Sequence, residues 1–194
     1  GTVTFTEVDV GYYAIDTSLG TICALTNVDN TFNAHEKNEK PDIDKFVQED
    51  SEVNNADEGW GKVNDADIDQ VVNYKSTVTV GLGATNYVMH DTMEEGLTFN
   101  NDVKVSIDGK ELSNDQFTVI LNPEDGCTFE VVIEDLKVLA TKGQEIRVDF
   151  TATLNTKAEI GLDGNTNKVR LEYSNNPNES GLGETGKTEW DEVI

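Results

Sequence analysis

Three short runs in this 194-residue sequence set a polar residue in step with apolar ones. In Ile43-Asp44-Lys45-Phe46-Val47, Lys45 falls in phase with Ile43 and Val47. In Tyr87-Val88-Met89-His90-Asp91, Asp91 falls in phase with Tyr87 and Met89. In the run from Val169 to Asn175, Asn175 follows Val169, Leu171 and Tyr173, while Arg170 and Glu172 take the other face. Successive residues of a strand point to opposite faces, so period two directs an amine, a carboxyl and a carboxamide toward the core. An unpaired buried lysine costs several kcal/mol, so its presence needs a reason. A buried Lys45–Asp91 ion pair is one, a stem snorkelling from a strand end is a second, and a reactive site is a third.

Other chemistry finds less support. The sequence has no Gly-x-Ser-x-Gly elbow, no phosphate-cradling glycine loop and no His-Glu-x-x-His. His90 adjoins Asp91 but points to the opposite strand face, so it reads as solvent-facing rather than as half of a dyad. Asp163-Gly164-Asn165-Thr166-Asn167 starts like a calcium loop, yet Lys168 stands where the loop glycine belongs and Ser174 where the bidentate glutamate belongs. A turn is the better reading. No metal site and no cofactor is expected. Cys23 and Cys127 form no Cys-x-x-Cys motif, and they read as separate thiols rather than a bridge. Cys127, in phase with Phe129 and Val131, should be buried and unreactive.

Strand signals must position these groups. β-branched or alternating runs occur at 3–5, 12–15, 22–26, 43–47, 71–80, 87–89, 103–107, 117–121, 128–133, 146–154 and 169–173. Turn dipeptides such as Asp108-Gly109, Asp125-Gly126 and Asp163-Gly164 separate them. This spacing predicts an all-β, antiparallel sandwich, with helix limited to a turn or two over Leu136–Thr141. The charged, proline-bearing stretch 35–41 reads as a linker. It divides an N-terminal hairpin segment (1–38), too small to fold alone, from a sandwich domain (39–194). Residues 50–69, acidic and polar around Trp60, read as a long surface loop. Both ends read as cuts from a longer chain.

Charge narrows the partners. With 38 acidic and 14 basic residues the net charge is −24, a field that repels nucleic acid and anionic membrane. No apolar stretch approaches the length of a membrane span.

Several segments together resemble the isopeptide-forming fimbrial shaft domains of Gram-positive bacterial surface proteins. Asp91-Thr92-Met93-Glu94-Glu95-Gly96-Leu97-Thr98 is similar to their Asp-Thr-Met-x-x-Gly-Leu-Thr segment. Lys40-Pro41-Asp42-Ile43-Asp44-Lys45 resembles the opening strand, and Thr151–Asn155, Ala158–Gly161 and Leu171–Pro177 resemble the closing ones. Gly11-Tyr12-Tyr13 resembles the end of the preceding domain in such pilins. The family's usual Ile-Gly-Asp is Ile68-Asp69-Gln70 here, a change confined to a turn. The resemblance implies an immunoglobulin-like, Cna-type sandwich at the cell surface, in the cell wall or a pilus, with other pilin subunits or flanking domains as partners. It also implies a covalent bond between Lys45 and Asn175, assisted by the buried acid Asp91, formed once per molecule rather than by enzymatic turnover. Asn176 and Lys40 are alternatives, since one bulge would exchange the faces of the two asparagines. The competing function is a surface binding module that recognises a host glycan or protein through sandwich loops, the Trp60 loop first among them.

Overall fold

A computed structural model describes residues 11–17, 20–26, 40–52, 57–81, 85–161, 163–174 and 185–194, with isolated positions 4, 6 and 9. The strands are β1 (Gly11–Thr17), β2 (Gly20–Thr26), β3 (Ile43–Gln48), β4 (Trp60–Gly61), β5 (Val71–Thr79), β6 (Thr85–Met93), β7 (Leu97–Phe99) and β8 (Lys104–Ile107). They continue as β9 (Lys110–Glu111), β10 (Phe117–Leu121), β11 (Phe129–Ile133), β12 (Glu145–Leu154), β13 (Asn167–Ser174), β14 (Thr185–Lys187) and β15 (Asp191–Val193). One helical turn, α1 (Leu136–Leu139), and a 3-10 turn at Asp50–Glu52 complete the elements among the described residues. No helix there is long and apolar enough to cross a membrane.

The strands form an antiparallel, immunoglobulin-like sandwich. One sheet runs β4-β3-β5-β12-β8-β9, with β7 also on β12, and the other runs β10-β11-β6-β13-β14, with β15 also on β13. Alternation builds the interior. Val72, Tyr74, Ser76 and Val78 of β5, Ile146, Val148, Phe150 and Ala152 of β12, and Val169, Leu171 and Tyr173 of β13 are all buried, and the residues between them are not. Such a pattern buries one face of each sheet against the other. β1 and β2 pair antiparallel from Gly11↔Thr26 to Thr17↔Gly20 as a separate two-stranded sheet, the hairpin expected from the sequence.

Local chemistry fixes the corners. Asp108 and Gly109 both have positive φ (47° and 77°), the type I′ geometry that joins β8 to β9. Gly96 opens β7 where no side chain fits: a Cβ there would lie 2.0 Å from Asn165 Oδ1 and 2.7 Å from the Ala158 Cα. Asn165 is itself engaged, accepting from the Glu159 N–H (2.9 Å) and donating to the Glu159 carbonyl (3.1 Å). The segment at first suggestive of calcium is therefore a structural clasp. Most described residues of the 50–69 stretch are exposed, as a surface loop would be, but Trp60 is packed. Trp60 pairs with Gln48 in register and is half-buried, with Lys75 Nζ 4.5 Å and the Arg147 guanidinium 5.5 Å from its ring centre.

Candidate functional site

Lys45 and Asp91 come from opposite sheets and meet in the core. β3 carries Lys45 between inward-facing Ile43 and Val47, and β6 carries Asp91 opposite Phe129 of β11 and Val169 of β13. Both side chains are 0% exposed, and Lys45 Nζ donates to Asp91 Oδ2 at 2.5 Å. Aromatic rings close the pocket. Nζ lies 4.6 Å from the Phe150 centroid and 5.5 Å from that of Tyr74, and Phe150 packs edge-on against Phe99 and Phe129.

Burial dominates the protonation of both groups. It pushes the Lys45 amine below its ordinary value, against the pull of Asp91, and lifts the Asp91 carboxyl above its own, against the pull of Lys45 and of Asn167. Each is driven toward its neutral form, a free amine and a protonated acid. Desolvation and Asp91 also raise the Tyr74 phenol, so Tyr74 stays un-ionised.

The third member is an asparagine that sequence reasoning missed. Asn167 opens β13, is 0% exposed and faces Asp91 closely enough to favour its ionised form. Asn167 Oδ1, Asn167 Nδ2 and Asp91 Oδ1 are nevertheless buried without a hydrogen bond of good geometry. Each buried polar atom left so costs about 1–3 kcal/mol, so three together mark an unusual spot. The signal was present. Period two from Val169, Leu171 and Tyr173 extends backward to Asn167 as readily as forward to Asn175. Asn175 and Asn176 lie outside the described residues. Ser174, the last described residue of β13, pairs with Thr85, whereas Asp91 pairs with Val169. Those levels are five strand residues apart, about 17 Å. Lys40 is exposed and precedes β3, away from the pocket.

The opening strand is clamped as well as paired. The Lys45 backbone N–H donates to Asp191 Oδ2 at 2.6 Å, and Lys62 Nζ bridges Asp191 (2.5 Å) and the Lys45 carbonyl (2.7 Å). Asp191 sits on β15 opposite Val169 of β13, so this contact links the first strand of the sandwich to its last and, through it, to β13.

Two outward residues differ from expectation. His90 is not solvent-facing. It is 5% exposed, covered by Asp125, Glu130 and Glu172, because side chains of β11, β13 and the 123–127 turn close over that face. Cys127 is a free, buried thiol as expected, but Sγ turns to Asp125 (3.2 Å) and His90.

A two-sheet antiparallel sandwich whose opening strand meets its closing strands at a buried amine, carboxyl and carboxamide is a Cna-type domain. The chain belongs to the Gram-positive pilin backbone family: the family model described as Gram-positive pilin backbone subunit 2, Cna-B-like domain, matches residues 68–177. It is 33% identical over 98 residues to the trypsin-resistant surface T6 protein of Streptococcus pyogenes serotype M6, covering 45% of this chain and 17% of that protein. The pilus backbone RrgB of Streptococcus pneumoniae is similar at 26% identity and TM-score 0.54, over 72% of this chain and 55% of that one. The major pilin BcpA of Bacillus cereus shares the fold at 18% identity and TM-score 0.61, over 95% of this chain and 47% of that one. The chain thus spans a sixth of the surface protein's length and about half of the two pilins.

Proposed function

We propose that residues 39–194 form a stalk module of a Gram-positive pilus or surface protein, locked by a self-formed isopeptide bond between Lys45 and Asn167 with Asp91 as the catalytic acid–base. On this reading residues 1–38 end a preceding domain, and flanking domains or further pilin subunits are the partners. One observation carries the reading: three fully buried polar side chains from β3, β6 and β13 converge in one aromatic pocket. The ionisable pair is also driven toward the forms the chemistry needs.

The neutral Lys45 Nζ attacks Cγ of Asn167 while protonated Asp91 hydrogen-bonds to Oδ1 and polarises the carbonyl. The Nζ–Cγ bond forms. Asp91 carries a proton from Nζ to Nδ2, the Cγ–Nδ2 bond breaks, and ammonia leaves. Folding supplies the proximity that makes so unreactive an amide yield. The surrounding rings of Phe150 and Tyr74 keep water from competing. The reaction runs once per chain and leaves no turnover site.

Its use is mechanical. The bond ties the two sheets and closes a loop on the order of 100 residues, lowering unfolded-state entropy by about 5 kcal/mol. Pulling on the chain then cannot draw out the segment between residues 45 and 167. Intact mass spectrometry tests this. The chain should lack the mass of one ammonia, and so should Asn175→Ala. Lys45→Ala and Asn167→Ala should keep the full mass of their sequences. A deficit abolished by Asn175→Ala and retained in Asn167→Ala would move the acceptor to Asn175, and an unmodified parent mass would end the proposal.

A further inference from the structure

One residue from Asp91, on the outer face of β6, a second set of chemically active side chains meets. His90 Nδ1 lies 2.9 Å from Asp125 Oδ2 and 3.1 Å from Glu130 Oε1. Cys127 Sγ lies 3.2 Å from the same Asp125 oxygen, and the ligand atoms of His90, Asp125 and Cys127 all fall within 4.8 Å of one another. On the far side of the ring, Nε2 faces Glu172 Oε2 at 3.4 Å without a hydrogen bond. His90 pairs in register with Glu130 of β11 and Arg170 of β13, so long-range pairing assembles the cluster.

A neutral imidazole has one N–H, and ionised carboxylates only accept. With the proton on Nε2, directed at Glu172, the Nδ1 lone pair opposes the lone pairs of Asp125 and Glu130. With the proton on Nδ1, Nε2 opposes Glu172. Either neutral tautomer leaves one ring nitrogen of the buried imidazole facing a carboxylate lone pair. Arg170 approaches Asp125 at 3.5 Å and Lys187 pairs with Glu172 at 3.0 Å, which compensates the rim rather than the contact at Nδ1.

We propose that this cluster is a zinc-class metal site, with His90 Nδ1, Cys127 Sγ and Asp125 as ligands. Imidazole nitrogen, thiolate and carboxylate are the donors such an ion selects, whereas calcium takes oxygen alone. The 2.9 and 3.2 Å from Asp125 Oδ2 to His90 Nδ1 and Cys127 Sγ fall a few tenths of an ångström short of the roughly 3.3–3.8 Å edges of a tetrahedron with bonds of about 2.0–2.3 Å, so a small side-chain shift would seat the ion. Nδ1 coordination also fixes the proton on Nε2, the nitrogen that faces Glu172 at 3.4 Å.

The test uses the full chain in a Cys23→Ser background, reduced, so that Cys127 is the single thiol. Titration with Co²⁺ should give tetrahedral visible bands and a thiolate charge-transfer band that saturate at one equivalent and are erased by Zn²⁺. Cys127→Ser should lose the charge-transfer band, and His90→Gln should weaken binding by about tenfold or more. Zn²⁺ should also slow alkylation of Cys127 in the protein with its ligands intact, a readout that needs no core substitution. Equal alkylation with and without zinc would overturn the proposal. Metal held as tightly by both variants would assign binding to the acidic surface, and would overturn it equally.

Discussion

His90 and Asp91 are neighbours on β6, yet they anchor two different polar clusters on opposite faces of one sheet. The inward cluster, Lys45–Asp91–Asn167, is sealed between two sheets by aromatic rings, with every member 0% exposed. The outward cluster at His90 is covered only by side chains, and Asp125 and Glu172 remain 29% and 24% exposed. Depth separates their chemistry. In the sealed pocket, desolvation outweighs the attraction of the partner and drives amine and acid toward neutrality, the state in which a covalent bond can form. On the outer face, carboxyl groups stand beside the imidazole and thiol, the donor set proposed to hold an ion. Period two alone decides which residue enters which environment.

The largest effect should follow Asp91→Ala. It removes the proton carrier, so the closed loop worth about 5 kcal/mol is lost, and it leaves Lys45 buried without a partner, a further 3–5 kcal/mol or so. For a domain whose whole stability is about 5–15 kcal/mol, denaturant titration should find it unfolded or barely folded near neutral pH. Its pH dependence has a definite sign. Lys45 is held below its ordinary 10.5 by burial, so the unfolded chain binds more protons than the folded one. Stability should therefore rise with pH, by up to about 1.4 kcal/mol per unit, and approach its full value only as pH passes the ordinary lysine range. A flat or falling profile would deny that burial lowers the Lys45 amine below its ordinary value.

Asn167→Ala comes next. It removes the electrophile but keeps the Lys45–Asp91 pair, so it should lose about the 5 kcal/mol of loop closure and show the full sequence mass. Thermal melting against the parent measures it. Gly96→Ala should cost about 1–3 kcal/mol by driving a methyl into Asn165 and the Ala158 backbone, with the cross-link mass unchanged. His90→Gln in metal-free protein should be smaller still, within about 1 kcal/mol, because lost packing of the buried ring is offset by relief of the opposed contact. A loss of the ammonia deficit in His90→Gln would break the separation of the two faces.

The sandwich was legible because each long strand alternates cleanly, and so were Lys45 and Asp91, whose runs end or begin with unambiguous apolar neighbours. Asn167 was not. Its strand reads in phase in both directions, and the Asn- and Asp-rich approach at 163–167 resembles a free turn until Asn165 is seen clasping Glu159. The short strands β4, β7, β14 and β15 have two or three residues each, too few for period to show, and exist through their partners. The cover over His90 comes from residues 35 to 82 positions away in sequence, which no local pattern encodes. Trp60, read as a loop residue open to a ligand, is instead packed beside Lys75 and Arg147.

The central claim, a bond from Lys45 to Asn167, is tested most directly by peptide mapping of the native chain. Protease digestion followed by tandem mass spectrometry should yield one branched peptide joining the Lys45 segment to the Asn167 segment, lighter by one ammonia than its two parts. Fragment ions should place the branch at those two residues. Recovery of both segments as separate, unmodified peptides, or a branch at Asn175, would contradict the account.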